Sequence, residues 1–273
     1  GSAVPPIPVS WALGDKGPST DGGEIGLCRA VVDSIWTWTE RVRMVESRVN
    51  RVYDWWSGHQ RLFRALRLLA FSGQYGRLHR LAVDRLFVGR GDRVLDLGCV
   101  PGVNFDALAD AVAPDGRVIG VDASVGMVRR AREEASGVEG RCSVVRGDAG
   151  SLPFPDDAFD RAFSTLAVSA VPDAEATVAE AARVLRPGGR FVVLDARPFP
   201  TLPLAYLNPL VNPVSAWATE WRPERDVPGL LRERFDPVHV ESFNGGSAFV
   251  ATAELARSGE DPLAERARDE FDR

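Results

Sequence analysis

Lysine is almost missing from this chain: of 33 basic residues only Lys16 is one, and the others are arginines. Amine chemistry of the Schiff-base kind is therefore set aside. Cysteine is scarce as well. Cys28, Cys99 and Cys142 lie far apart and form no C-x-x-C pair, which argues against a disulfide framework and a zinc site. No metal is expected, and the scattered thiols read as a reducing compartment, the cytoplasm. No uninterrupted apolar run reaches the ~18 residues of a membrane span, and the start has no signal-peptide layout. Gly1 and Ser2 read as the remnant of a cleaved tag and carry no argument. With a net charge of −5 there is no global basic field, so nucleic acid is not an expected partner.

What is present divides along the chain. Residues 3–23 are rich in Pro, Gly, Ser and Asp, without apolar periodicity, and read as an extended or mobile arm (1–23 with the two leading residues). From residue 24 to 88 the pattern is helical: Cys28, Val31, Ile35, Trp38 and Val42 recur at steps of three and four, as do Leu62, Leu66 and Leu69, then Leu78, Leu81, Ala82 and Leu86. About four helices are expected, packed as an N-terminal cap. Trp36, Trp38, Trp55 and Trp56 fall in it, either as core filling or as the lining of an apolar pocket.

After Gly91 short apolar runs (Arg93–Leu97, Arg117–Val121, Cys142–Val145, Arg161–Ser164, Arg190–Leu194) alternate with helical stretches (Asn104–Val112, Ser124–Glu134, Ala174–Leu185). That alternation predicts βαβ units and an α/β fold, with a mostly parallel sheet covered on both faces. Arg186-Pro187-Gly188-Gly189 reads as a helix stop before the fifth strand. Residues 198–222, crowded with prolines and apolar groups, read as neither a clean strand nor a clean helix, but as an insertion that covers a substrate. Val227–Phe235 reads as a short helix, Val238–Phe243 and Ala248–Glu254 as a hairpin around Asn244-Gly245-Gly246, and residues 256–273 as a charged tail.

The sharpest local signal is Val94-Leu95-Asp96-Leu97-Gly98-Cys99-Val100-Pro101-Gly102, a strand entering a tight glycine turn that opens a helix. Such a turn lets a ligand approach the backbone and the helix N-terminus. Its spacing is G-x-x-x-G, whereas dinucleotide binders cradle a pyrophosphate with G-x-G-x-x-G. A NAD-dependent oxidoreductase is thereby disfavoured. The second strand ends in Asp122, followed by Ala123 and Ser124, and a carboxylate there can accept both hydroxyls of a ribose. The third ends at Asp148-Ala149, where Asp148 can accept from an adenine amino group. Met127 can pack on a purine face. Helix capping, turn formation and core packing are the competing roles for these residues. Together the strand tips describe a site for an adenosine without a diphosphate, at the carboxyl edge of the sheet.

The segments VLDLGCVPG, GVDASVGM, RGDAGSLPFPDDAFD and VLRPGGRFVVLD, in this order, resemble the class I S-adenosylmethionine-dependent methyltransferases. The likeness is strongest to the ubiquinone/menaquinone-biosynthesis C-methyltransferase-like enzymes and covers roughly residues 50–255. The resemblance implies a Rossmann-like seven-stranded sheet of order 3-2-1-4-5-7-6 with the last strand antiparallel. It implies S-adenosylmethionine as cofactor and S-adenosylhomocysteine as product. By position, Asp96, Gly98 and Gly102, with Cys99 and Val100 in the same loop, would border the methionine end. Asp122 and Ala123 would hold the ribose, Met127 the adenine face, and Asp148 with Ala149 its edge. Ser164 and Thr165 would lie near the sulfonium. Tyr53-Asp54 resembles the Tyr-Asp pair that begins such caps. Two departures stand out. Val100 replaces the usual middle glycine, and since Pro101 follows, an extended backbone is expected there, leaving side-chain bulk as the obstacle to the cofactor. Ser169-Ala170 replaces a His-His pair found in many relatives.

Methyl transfer gains mostly from positioning, so a dedicated base is optional. The candidates are Tyr53 and His59, then Asp54 and Glu220; His79 and His239 sit on plain helix and strand patterns. The expected acceptor is a small apolar phenol, quinol or polyketide-like metabolite, methylated at oxygen or carbon. A lipid amine is an alternative, in which cap tryptophans would rest on a membrane surface. A second alternative is a scaffold, isomerase or cyclase of the same fold that moves no methyl. Either a monomer or a homodimer is compatible with the sequence.

Overall fold

The computed structural model describes residues 48–138 and 141–257. The expected arm, Trp36, Trp38, the helical pattern before residue 48 and most of the charged tail lie outside the described residues. The cap within that range consists of α1 (Arg48–Gly58), α2 (Gln60–Ala70) and α3 (Tyr75–Leu86). α3 belongs to the core: Leu78, Ala82 and Leu86, four residues apart, are fully buried against Val94, Phe163, Val192 and Val250 of the sheet.

The sheet holds seven strands: β1 (Arg93–Leu97), β2 (Arg117–Asp122), β3 (Cys142–Arg146), β4 (Phe159–Thr165), β5 (Leu185–Ala196), β6 (Val238–Phe243) and β7 (Ala248–Glu254). Their order is 3-2-1-4-5-7-6, and β7 runs antiparallel to both its neighbours. Between the strands lie α4 (Phe105–Val112), α5 (Val125–Ala135) and α6 (Ala174–Val184). The apolar runs of β1 and β2 are buried on both faces, as a parallel sheet requires. Helix starts follow side-chain chemistry. Ser124 Oγ accepts the Met127 N–H at 3.1 Å, and Asp173 Oδ1 accepts that of Ala176 at 2.9 Å.

Two local expectations are adjusted. The helix ends at Val184, ahead of Arg186–Gly189 as expected, but that stretch sits inside β5 as a bulge, because Leu185 pairs with Phe159 while Arg190 pairs with Arg161. The segment 198–222 is mainly helical: a 3₁₀ turn (Leu204–Leu207) leads into α7 (Asn208–Thr219). Pro209 occupies the first turn, where no N–H partner is lost. Asn208 fastens the entry by exchanging 2.9 Å hydrogen bonds with the N–H and carbonyl of Phe199. At the far end α1 satisfies the last carbonyls, Tyr53 Oη donating to Thr219 O (3.1 Å) and Trp56 Nε1 to Ala218 O (2.7 Å). These ties hold the helix although Pro213 lies inside it. The helix α8 that follows covers Val227–Arg232, shorter than its periodicity implied.

Candidate active site

The register of the sheet sets three loops side by side. Leu97 pairs with Val121, and Asp122 with Arg146, so the tips of β1, β2 and β3 end level. Backbone bonds knit them: Gly98 and Cys99 both donate to Val121 O (2.9 and 3.1 Å), and Gly147 to Asp122 O (3.0 Å). Gly98 is required twice over. Its φ is +65°, and a Cβ there would lie 2.3 Å from the Ala167 Cβ.

Asp122 is held by the loop it faces. Its Oδ1 accepts the Ser124 N–H (2.9 Å) and its Oδ2 the Val100 N–H (3.1 Å). Burial pushes its carboxyl up to about 6, against the pull of those donors, and the neighbouring Asp54 adds to the rise. The bond to Val100 also explains a correction. Val100 has φ +48°, in the left-handed region, not the extended backbone that Pro101 favours. Turning its N–H onto Asp122, with Gly102 N–H closing onto Cys99 O at 2.9 Å, forces a conformation that a β-branched residue rarely adopts.

Asp96 lies completely buried beneath this loop and is pushed up to about 7 by desolvation, with Asp122 adding to the rise. Asn104 Nδ2 donates to both its oxygens (2.9 and 3.0 Å) and reaches Thr165 Oγ1 at 3.3 Å. That orientation leaves Asn104 Oδ1 to accept from His79 Nε2 at 2.6 Å. Burial lowers the His79 pKa, which favours the neutral ring this chain of bonds requires. Neither His79 nor Asn104 was singled out by the sequence pattern. Among the described residues no cation pairs with Asp96 or Asp122.

The remaining expected residues sort by where their side chains point. Cys99 faces the core, its thiol raised by burial, and a Cβ on Gly120 would lie 2.8 Å from its sulfur. Gly102 is buried with φ +83°. Met127 is fully buried, its sulfur 4.0 Å from Gln60 Nε2 of the cap. The Ala123 carbonyl accepts from Arg146 Nε at 3.1 Å. Asp148 and Ala149 are half-buried at the β3 tip, with Asp148 Oδ1 taking the Gly150 N–H at 2.9 Å. Ser164 is fully buried, its hydroxyl donating to Leu97 O at 3.0 Å. The next residue, Thr165, points the other way and lines a cavity.

That cavity, of about 560 Å³, lies beside the strand tips. Phe63 and Leu66 of α2, Tyr75 of α3, Val211 and Val214 of α7, and Trp221 supply apolar walls; Tyr53, Thr165, Ser169 and Asp195 supply polar points, and Val100 closes one side. The Tyr53 phenol is pushed well up by burial and by the carboxylates of Asp122, Asp195 and Glu220. It is a donor and not a base at neutral pH. His59 is corrected: its exposed ring stacks on Trp55 (3.9 Å between centroids), its Nδ1 lies 2.8 Å from Trp55 O, and it is not among the lining residues. Trp217 of α7 likewise points outward. Asp195, absent from the expected set, is fully buried at the β5 tip. It accepts from Ser169 Oγ (2.5 Å) and Ser169 N–H (2.9 Å), and from the Ala196 N–H (2.8 Å). Burial lifts it to about 6 despite these donors. An acidic residue closing the apolar run of a central strand was the available signal.

The cap approaches this site through Asp54. Its Oδ1 accepts from Ser124 Oγ (2.6 Å) and the Gly126 N–H (2.8 Å), at the N-terminus of α5.

A methyltransferase-domain family model matches residues 94–189. A demethylmenaquinone methyltransferase of Symbiobacterium thermophilum is 41% identical over 142 residues, 50% of this chain and 56% of that protein. The chain thus spans little more than half of that relative. A demethylmenaquinone methyltransferase of Staphylococcus aureus is 30% identical over 230 residues, 77% of this chain and 90% of its own length. Among solved structures, a geranyl diphosphate C-methyltransferase from Streptomyces coelicolor superposes with a TM-score of 0.55 at 18% identity, covering 66% of this chain and 76% of that one.

Proposed function

Since the chain belongs to the class I S-adenosylmethionine-dependent methyltransferases, we propose that it methylates a small apolar acceptor seated in the chamber beside the strand tips. The observation that carries this reading is the juxtaposition itself: a largely apolar cavity of about 560 Å³ meets the glycine loop at Val100 and the β4 tip at Thr165.

The residues fit the cofactor. S-adenosylmethionine is a cation at sulfur and at its amino group, and Asp96 and Asp122 are buried carboxylates with no cation of their own among the described residues. In this reading Asp122 and Ala123 hold the ribose and Asp148 with Ala149 the adenine edge. Met127 backs the ring, and the loop from Gly98 to Gly102 borders the methionine end, braced by Asp96. The cofactor supplies an electrophilic methyl on a sulfonium. The protein contributes alignment of the acceptor with that methyl and exclusion of water, the main sources of rate in such a displacement. α2 and α7 wall the chamber, and Tyr53 keeps its proton on the Thr219 carbonyl, fastening α7 in place. Asp195, with a pKa of about 6, is ionised at neutral pH and is the carboxylate on the wall able to take an acidic proton from a phenol or enol. Ser169 orients it.

Calorimetric titration with S-adenosylmethionine and S-adenosylhomocysteine tests the cofactor site. Incubation with methyl-labelled cofactor and panels of phenols, quinols and prenylated quinols tests transfer. Label in an apolar acceptor supports the proposal. Absence of binding to either nucleoside would refute it, and binding with no label in any acceptor would favour a fold member that moves no methyl.

A further inference from the structure

α2 buries none of its side chains. Leu62, Leu66 and Leu69 form a stripe along it, and Leu69 is 77% exposed. Its charges are Arg61, Arg64 and Arg67; from residue 55 to residue 83 there are arginines and no Asp or Glu, in a chain that is acidic overall. On the other side of the chamber, residues 198–219 contain no charged residue at all. There Leu210 (71%), Val214 (58%) and Trp217 (73%) recur on one face of α7, with Tyr206 (75%) just before it. Leu69, Leu210 and Val214 also line the chamber, so its mouth opens within this apolar face.

A contiguous apolar surface of this kind marks an interaction site. We infer that the outer faces of α2 and α7 dock on an anionic lipid bilayer, with the chamber mouth against the membrane. Leucines with Trp217 and Tyr206 match the apolar side of an interfacial helix, and Arg61 and Arg64 match phosphate headgroups. A second copy of the chain fits less well. A two-fold interface would set arginines near arginines, and neither α2 nor α7 offers a carboxylate to answer them. An apolar acceptor dissolved in the bilayer would then enter the chamber without crossing water. Docking itself does not depend on the methyl-transfer reading.

The test is flotation of the full chain with vesicles of phosphatidylcholine alone and of phosphatidylcholine mixed with phosphatidylglycerol. The parent is expected to float with the mixed vesicles and to be released by salt. The double variant Trp217→Ser/Tyr206→Ser, whose residues do not line the chamber, is expected to lose at least about tenfold in partitioning, with its melting temperature and cofactor affinity unchanged. Arg61→Gln/Arg64→Gln is expected to lower binding to the mixed vesicles towards that of phosphatidylcholine alone. The inference is overturned if the parent stays unbound, or if both double variants bind like the parent. It is also overturned if Trp217→Ser/Tyr206→Ser dissociates a dimer while leaving vesicle binding intact. A parent that floats but fails to bind S-adenosylmethionine would sink the proposed function and leave the docking surface standing.

Discussion

Val100 offers two separable perturbations, one of strain and one of bulk. A β-branched side chain at φ +48° costs about 1–2 kcal/mol relative to a residue at ease there. Glycine removes that strain but loses roughly 0.5–1 kcal/mol of chain entropy on folding. Val100→Gly should therefore be neutral to about 1.5 kcal/mol more stable, a rise of up to roughly 5 °C in melting temperature for a domain of this size. Val100→Ala keeps most of the strain and removes the two γ-methyls, so its melting temperature should not exceed the parent's. Cofactor affinity reads the bulk instead. Overpacking by one or two methyl groups costs about 1–3 kcal/mol, so both variants should bind S-adenosylmethionine at least about fivefold more tightly by calorimetry. A Val100→Gly protein that melts below the parent would refute the strain argument. Two variants with unchanged or weaker affinity would show that the valine does not crowd the methionine end.

The pH dependence of the free protein should be unusual. Asp96, Asp122 and Asp195 have folded pKa values raised to about 7, 6 and 6 from an ordinary 3.8. The folded state thus holds protons that the unfolded chain has released, and these groups should make stability fall as pH rises from about 4 to 7. A melting temperature that climbs steadily over that interval would contradict this, and cofactor affinity should rise over the same range as the carboxylates ionise. Asn104→Leu should cost about 2–4 kcal/mol in urea unfolding, because it strips a buried carboxyl and His79 of their shared partner; a loss under about 0.5 kcal/mol would show that the network contributes little. Asp195→Asn should lower turnover roughly a hundredfold with little change in cofactor affinity. The parent is expected to lose rate below about pH 6, where Asp195 becomes protonated, and the variant to lack that loss; a variant with a parent-like pH profile would rule Asp195 out as the proton acceptor.

The sheet was legible because parallel strands buried on both faces write themselves as continuous apolar runs, and the ends of α4, α5 and α6 fall within a residue or two of their periodic patterns. The insertion was not, since proline reads as a breaker while Asn208, at the first residue of α7, ties it to Phe199 and the side chains of Tyr53 and Trp56 hold its far end from α1. Local rules failed at Val100 for a related reason: a hydrogen bond to Asp122, 22 positions away, outweighs the preference that Pro101 imposes. The same holds for Asp195 with Ser169, 26 positions apart, and for His79 with Asn104, 25 apart. Each pair is unremarkable in sequence and acquires its role only when strand tips and helices meet. His59 failed in the opposite direction, because a titratable side chain says nothing about the face of the helix it leaves from.

Tyr53 and Asp54 are neighbours on α1 with opposite attachments. Tyr53 donates to the carbonyl of Thr219 at the C-terminal end of α7, and Asp54 accepts at the N-terminus of α5, beside the loop proposed to hold the ribose. A single helix is therefore tied to both sides, and under the proposed function a change at one attachment is expected to reach the other. Loading the nucleoside first should brace the roof before the acceptor arrives, visible as slower amide exchange across residues 208–219 when the cofactor alone is added.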